Sequence, residues 1–196
     1  AKKHNVLVIS DEIHAPLTYP GESFVPILTL GSDAESVSIC VTAASKGWNI
    51  AGLKCAMIVT QDAALFAHLS EMPPAVHWRT SLLGAFATAA AFSDGAEWLD
   101  DVLSQLDENR HLIKNLLAAK LPSVRYHLPD NGYLAWLDVE ALQLGEDPSK
   151  YLLEKGRVAF NAGHTFGPQS SQYIRLNFAT SPEIVTEAID RIARSI

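Results

Sequence analysis

Two short apolar runs near the start of the chain each end in a residue that can take part in chemistry. The run VLVI at 6–9 leads to Asp11, and the run SVSICVTAA at 36–44 leads to Lys46. Continuous apolar runs of this length are typical of central parallel strands that are buried on both faces. Open α/β sheets bind their ligands at the carboxyl ends of such strands. Asp11 and Lys46 therefore stand where such a sheet binds its ligands, and for Asp11 the local sequence also leaves an ordinary exit from strand to loop open.

The rest of the chain alternates strand-like and helix-like segments, which predicts an α/β fold. Residues 79–93 are rich in alanine and other small residues and predict a buried helix. Apolar residues then recur at helical spacing from Trp98 to Leu117, which predicts a long amphipathic helix. The turn at 93–95 contains Asp and Gly, and it predicts a boundary between two domains. The predicted domains are 1–94 and 95–196.

Lys46 and Arg175 are charged residues in largely apolar surroundings. A lysine whose pKa is lowered by burial can form a Schiff base with a carbonyl compound, whereas a lysine in a solvated loop cannot do so readily. Arg175 interrupts the strand-like segment 173–178. Its guanidinium group either reaches solvent or binds a carboxylate through two parallel hydrogen bonds. For both residues the local sequence leaves the two alternatives open.

Composition limits the classes of partner. The net charge of −7 argues against nucleic acid or an anionic membrane as the main partner. No apolar run reaches the roughly 20 residues that a membrane-spanning helix needs. The two cysteines, Cys40 and Cys55, predict buried free thiols in a reducing cytoplasm. The histidines have no metal-ligand spacing, so the sequence predicts no metal site.

Three motifs, taken together in chain order, carry a family resemblance. They are SDEIH around Asp11, SKGWNIAGLK around Lys46, and YIRLNFATS around Arg175. The chain resembles the fold-type I pyridoxal-phosphate enzymes of the class I/II aminotransferase superfamily from Asp11 to its C-terminus. Within that superfamily it resembles the MalY/PatB group of carbon–sulfur lyases. The resemblance implies part of a large cofactor domain with a mostly parallel sheet, followed by a small α/β C-terminal domain.

The resemblance also implies a role for each motif residue. Lys46 would hold pyridoxal phosphate through its amine and then move the proton at the substrate Cα. Asp11 would face the pyridine nitrogen and keep it protonated. Arg175 would bind the substrate α-carboxylate, and Ser45 would donate a hydrogen bond to the cofactor phosphate. Trp48 and Asn49 are interpreted instead as packing and turn residues.

Two positions depart from the aminotransferase pattern. Many aminotransferases have a tyrosine three residues after the aspartate, and this chain has His14, which can also meet the cofactor's phenolic oxygen. Many relatives have a phosphate-binding arginine eight residues after the lysine, and this chain has Lys54. A lysine neutralises phosphate as a point charge without bidentate geometry. Both departures favour the lyase group.

The resemblance predicts a cytoplasmic, homodimeric enzyme that acts on a small amino-acid substrate. The predicted reaction is α,β-elimination from a sulfur amino acid such as cystathionine. One alternative is transamination, which uses the same lysine, aspartate and arginine. We also expect this chain to be the C-terminal piece of a longer enzyme, because the family's upstream cofactor-binding residues would precede residue 1. A second alternative is therefore a catalytically incomplete chain that serves as a folded or assembly module.

Overall fold

The computed structural model describes all 196 residues, which form two compact units. The first unit is Ala1–Leu103 and the second is Ser104–Ile196. The division falls inside the long helix α5, Ala96–Lys120, after the turn at which the sequence predicts a boundary. Sheets and helices alternate in both units, and the α/β class is confirmed.

The first unit contains a three-stranded sheet and four helices. Its elements in chain order are β1 (Val8–Asp11), α1 (Ser32–Glu35), β2 (Ser38–Thr42), β3 (Met57–Val59), α2 (Ala63–Ser70), α3 (Pro74–Trp78) and α4 (Leu82–Asp94). The strand order is β1-β2-β3, with β1 and β2 parallel and β2 and β3 antiparallel. This part of the predicted mostly parallel sheet is therefore mixed.

The first strand differs from the sequence prediction in both its bounds and its burial. It begins at Val8 instead of Val6, and it lies at the edge of the three-stranded sheet instead of its centre. Val6, Leu7 and Ile9 are exposed, and Ile9 keeps 65% of its surface accessible. The prediction of a strand buried on both faces is thus wrong for this chain. Apolar residues show which surfaces can be buried, and no neighbouring strand or helix of this chain covers them here.

Helix α4 forms where the sequence predicts a helix, but it is not buried as predicted. Ser81 caps it, because its side-chain oxygen accepts a hydrogen bond from the Gly84 amide at 3.1 Å. Gly84, Thr88 and Ala91 form the buried stripe of this helix. The large apolar side chains of α4 lie on the opposite, exposed side. A helix with apolar residues all round presents one apolar face outward when it packs on one side only.

The second unit contains a four-stranded antiparallel sheet and two further helices. Its elements after α5 are β4 (Arg125–Tyr126), β5 (Leu134–Asp138), α6 (Pro148–Tyr151), β6 (Asn161–Ala162), β7 (Tyr173–Asn177) and α7 (Pro182–Arg194). The strand order is β4-β5-β7-β6. Helices α5 and α7 supply buried leucine and isoleucine residues to the core of this unit, among them Ile113, Leu117, Ile189 and Ile192.

The long helix α5 and the last helix α7 are close to their predictions. Helix α5 ends at Lys120, before Pro122, and α7 begins at Pro182, where proline's fixed φ suits the first helical turn. None of the helices in the structure is both long enough and apolar enough to cross a membrane.

Candidate active site

The parallel pairing of β1 and β2 places the first two motifs at one edge of the sheet. Asp11, the last residue of β1, is in register with Val41, next to the end of β2. Lys46 follows the end of β2 at Thr42 by one short turn. The carboxyl ends of two neighbouring parallel strands therefore carry a carboxylate and an amine, as the sequence predicts.

His14 lies close enough to both groups to respond to their charges. Burial of the imidazole ring lowers the pKa of His14, the nearby Lys46 ammonium lowers this pKa further, and the Asp11 carboxylate opposes both. Both charges therefore act on the imidazole, which follows Asp11 by three residues on the turn after β1.

Backbone hydrogen bonds and the Trp48 side chain stabilise the turn that carries Lys46. The Trp48 amide donates to the Ala44 carbonyl at 3.0 Å, and the Trp48 indole nitrogen donates to the Gly95 carbonyl at 2.9 Å. The indole ring also packs edge-on against Phe92, with 5.0 Å between the ring centroids. Trp48 is therefore a packing residue, which agrees with its interpretation from sequence.

Ser45 and Lys54 line one cleft of the first unit. The cleft has a volume of about 720 Å³ and is mainly apolar, with His77, Arg79 and Thr80 contributing polar groups. Lys54 ends the short helical turn Ala51–Leu53 in the left-handed conformation, with φ 52°. Asp11, His14 and Lys46 lie outside the lining of this cleft. The predicted phosphate-binding residues thus line the same cleft, which also includes Ile13 beside His14.

Arg175 lies in the middle of β7, in the second compact unit. Its cross-strand neighbours are Trp136 on β5 and Asn161 on β6. The Asn161 side-chain oxygen accepts from Arg175 Nε at 3.4 Å and from Nη2 at 3.2 Å. The guanidinium carbon also sits 4.6 Å from the centroid of the Phe166 ring, which is a cation–π distance. Arg175 is only half-buried, and its planar group is held from two directions.

Sequence reasoning missed Asn161 and Phe166 as neighbours of Arg175. Phe166 belongs to the loop NAGHTFGP at 161–168. Trp136 stacks on Tyr173 and meets Phe166 edge-on, with ring centroids 5.2 and 5.3 Å apart. The period-two spacing of Tyr173 and Arg175 along β7 is the signal that places them on one face. The contribution of Phe166 depends on a loop whose path the sequence does not reveal.

The fold is that of the fold-type I pyridoxal-phosphate enzymes. A family model described as "Aminotransferase class I and II" matches residues 1–192, and the chain belongs to that family. The enzymes of this family depend on pyridoxal phosphate.

Similar proteins include named carbon–sulfur lyases. The chain is 38% identical to a cystathionine beta-lyase of Corynebacterium glutamicum, over 98% of this chain and 51% of the relative. It is 34% identical to the cystathionine beta-lyase PatB of Bacillus subtilis, over 99% of this chain and 51% of the relative. The crystal structure of a pyridoxal-phosphate-bound C–S lyase from Staphylococcus hominis superposes with a TM-score of 0.87 at 27% identity. That superposition covers 99% of this chain and 50% of the lyase. The chain thus spans about half the length of these relatives.

Proposed function

We propose that this chain supplies cofactor- and substrate-binding residues to a pyridoxal-phosphate-dependent carbon–sulfur lyase. The observation that carries the proposal is the grouping of Asp11, His14 and Lys46 at the carboxyl ends of two parallel strands. The similarity to named cystathionine beta-lyases supports the choice of reaction.

The chemistry of these side chains fits the cofactor. The Lys46 amine can bond to an aldehyde, and the Asp11 carboxylate can accept a hydrogen bond from a protonated pyridine nitrogen. The His14 imidazole can meet a phenolic oxygen as donor or acceptor. Ser45 and Lys54 would bind the phosphate group through a hydroxyl and an ammonium. When bound, pyridoxal phosphate supplies an electron sink for the pair of electrons left at the substrate Cα.

The residues of this chain perform binding and proton transfer. Lys46 would take the proton from the substrate Cα, because an amine freed beside the reacting carbon is a general base. The charge of Asp11 favours a protonated pyridine nitrogen, and a protonated ring is the stronger electron acceptor. Arg175 would bind the substrate α-carboxylate, and its contacts with Asn161 and Phe166 restrict the guanidinium plane before substrate arrives.

Elimination and transamination are distinguished by what happens after the Cα proton leaves. In elimination the sulfur-bearing β-substituent departs, and the products are a thiol, pyruvate and ammonia. In transamination the amino group stays on the enzyme until a keto acid removes it. Supplying cystathionine with no keto acid therefore separates the two reactions. We expect pyruvate to form over many turnovers, whereas a transaminase would stop after a single one.

Cofactor binding is tested by the absorption spectrum of the chain with added pyridoxal phosphate. We expect a visible band from the covalently bound cofactor, and we expect Lys46→Ala to abolish it. Lys114→Ala, which changes an exposed lysine on α5, is the matched control and should keep the band. A band of equal intensity in Lys46→Ala would remove Lys46 from the role of cofactor lysine.

We further propose that the protein is cytoplasmic and works as a homodimer. Both cysteines are free thiols, which suits a reducing compartment. The homodimer is supported by the large apolar side chains that α3 and α4 leave exposed, including Trp78 and Phe86 at 82% and 66% accessibility.

A further inference from the structure

Glu12 is a buried carboxylate next to the proposed cofactor residues Asp11 and His14. Only 7% of its surface is accessible. Its Oε1 atom accepts a hydrogen bond from the Ser10 hydroxyl at 3.0 Å and from the Ile27 amide at 2.9 Å. The second of these bonds spans 15 positions in the sequence. A carboxylate is withdrawn from water in a protein only when such donors replace the lost solvation.

A thiol from the neighbouring strand lies beside this carboxylate. Burial raises the pKa of the Cys40 thiol on β2 to about 11, and its interaction with Glu12 and the charges of Glu12 and Asp11 contribute to the rise. Cys40 therefore stays protonated at neutral pH and adds no second negative charge beside Glu12. Through its two hydrogen bonds, the carboxylate joins the end of β1 to the segment that begins at Ile27.

The backbone around Glu12 connects these bonds to the cofactor residues. The Glu12 amide donates to the Val41 carbonyl at 2.9 Å, and the Ala15 amide donates to the Glu12 carbonyl at 3.0 Å. The Asp11 side chain accepts from the Ile13 amide at 3.2 Å. Asp11 and His14 thus lie on a tight turn, and the Glu12 side chain attaches this turn to Ile27 in addition to the backbone bond to Val41.

We propose that Glu12 is a positioning residue that fixes the turn from Asp11 to Ala15, so that Asp11 and His14 face the cofactor-binding edge. The part played by the cofactor rests on the proposed function, whereas the fixing of the turn does not. Glu12 touches neither Lys46 nor the proposed substrate arginine in any of its hydrogen bonds. It acts through the residues on either side of it.

The test is the imidazole pKa of His14, measured by NMR titration of the chain without cofactor. The resonance is assigned by its loss in His14→Gln. Burial and Lys46 lower the pKa of His14, Asp11 opposes them, and the charge of Glu12 is not among the causes. A changed pKa in a Glu12 variant therefore reports movement of the turn.

We expect Glu12→Ala to raise the pKa of His14 toward its ordinary value of 6.5, because the freed turn becomes solvated. Glu12→Gln keeps an oxygen acceptor for Ser10 and Ile27, and it should leave the pKa of His14 near that of the unaltered chain. Glu22→Ala, at an exposed glutamate, is the matched control and should have no effect. An unchanged pKa in a folded Glu12→Ala chain, or an equal rise in Glu12→Ala and Glu12→Gln, would overturn the proposal.

A second pair of variants decides the matter if Glu12→Ala does not fold. Ile27 begins a short helical turn after Pro26, whose ψ of 137° suits a following proline. Ile27→Pro therefore removes the amide donor to Glu12 within a compatible backbone, and Ile27→Ala keeps that donor. We expect the pKa of His14 to rise in Ile27→Pro and not in Ile27→Ala. Equal values in the two variants would contradict the proposal. Because no cofactor is present, failure here is distinct from failure of the proposed lyase function.

Discussion

At the scale of single residues, the charges of the sheet edge act on His14. Burial keeps the pKa of His14 below its ordinary value, and Lys46 works in the same direction. The folded chain therefore binds a proton at His14 less readily than the unfolded chain does. The contribution of His14 to folding stability is fully present above about pH 6.5 and is lost as the pH falls through the lowered pKa.

The first prediction concerns the charges around this histidine. Lys46→Met removes a nearby positive charge, so the pKa of His14 should rise while staying below 6.5, because burial is the larger cause. Asp11→Asn removes the opposing negative charge and should lower this pKa further. NMR titration of the His14 resonance measures both shifts. Shifts of the same sign in the two variants would show that the charges are not arranged as described.

The strand-then-loop pattern is local and repeated, and it predicts Asp11 and Lys46 at the ends of strands. His14 is added to them only by the family resemblance. The sequence does not predict the burial of Glu12, since that depends on Ile27, which is distant in sequence, and on Cys40, which is on the next strand. Glutamate side chains are usually exposed, so residue type alone predicts that Glu12 in DEIH lies on the surface. Tertiary hydrogen bonds reverse this expectation, and they cannot be read from neighbouring positions.

At the scale of elements, helix α4 packs closely on the turn that carries Lys54. A Cβ added at Gly84 would come far inside van der Waals contact of the Leu53 carbonyl oxygen and would lie 3.1 Å from the Cys55 side chain. Gly84 is also buried, so the added carbon can be accommodated only if the helix moves away from this turn.

Gly84→Ala should therefore destabilise the chain, although alanine is normally more favourable than glycine inside a helix by about 1 kcal/mol. We expect a loss of about 1–3 kcal/mol in the free energy of unfolding, the usual cost of overpacking. Gly52→Ala is the control, because nothing lies within 4 Å of the added carbon there. Chemical denaturation measures both variants. A gain in stability for Gly84→Ala would contradict the described packing.

In the second unit, the buried Asn109 side chain on α5 forms hydrogen bonds with the segment that follows β7. The Asn109 amide nitrogen donates to the Phe178 carbonyl at 3.0 Å and to the Thr180 carbonyl at 2.7 Å. We expect Asn109→Ala to cost about 1–3 kcal/mol, because the Thr180 carbonyl loses this donor, whereas the Phe178 carbonyl keeps its bond from the Thr180 amide at 2.8 Å. Asn115→Ala changes an exposed asparagine on the same helix and should cost far less. Equal midpoints of unfolding in urea would contradict this account.

At the scale of the whole molecule, the sequence predicts the positions of the helices better than it predicts which of their side chains are buried. Helices α5 and α7 follow from apolar spacing and from Pro182, both of which act locally. The sequence does not predict the exposure of Ile9 and of the large side chains of α4. An apolar residue tends to be buried, but its identity does not show which surface would cover it.

Those exposed side chains lead to a prediction about association. Leu82, Leu83 and Phe86 keep 71%, 70% and 66% of their surface accessible on one helix. We expect the chain to self-associate, and we expect Leu83→Gln together with Phe86→Gln to raise the dissociation constant at least tenfold. Sedimentation velocity over a range of concentrations measures this constant. Glu97→Gln, an exposed polar site on α5, is the control. A monomer at every concentration would contradict the prediction.

Bonding of the Lys46 amine to pyridoxal phosphate can be tested by locating the modified lysine. Borohydride reduction of the chain mixed with the cofactor makes the bond permanent, and peptide mapping by mass spectrometry then identifies the modified lysine. We expect modification of Lys46 in the peptide around SKGWNIAGLK at one cofactor per chain. Modification spread over several lysines, or placed on Lys54 instead of Lys46, would contradict this expectation.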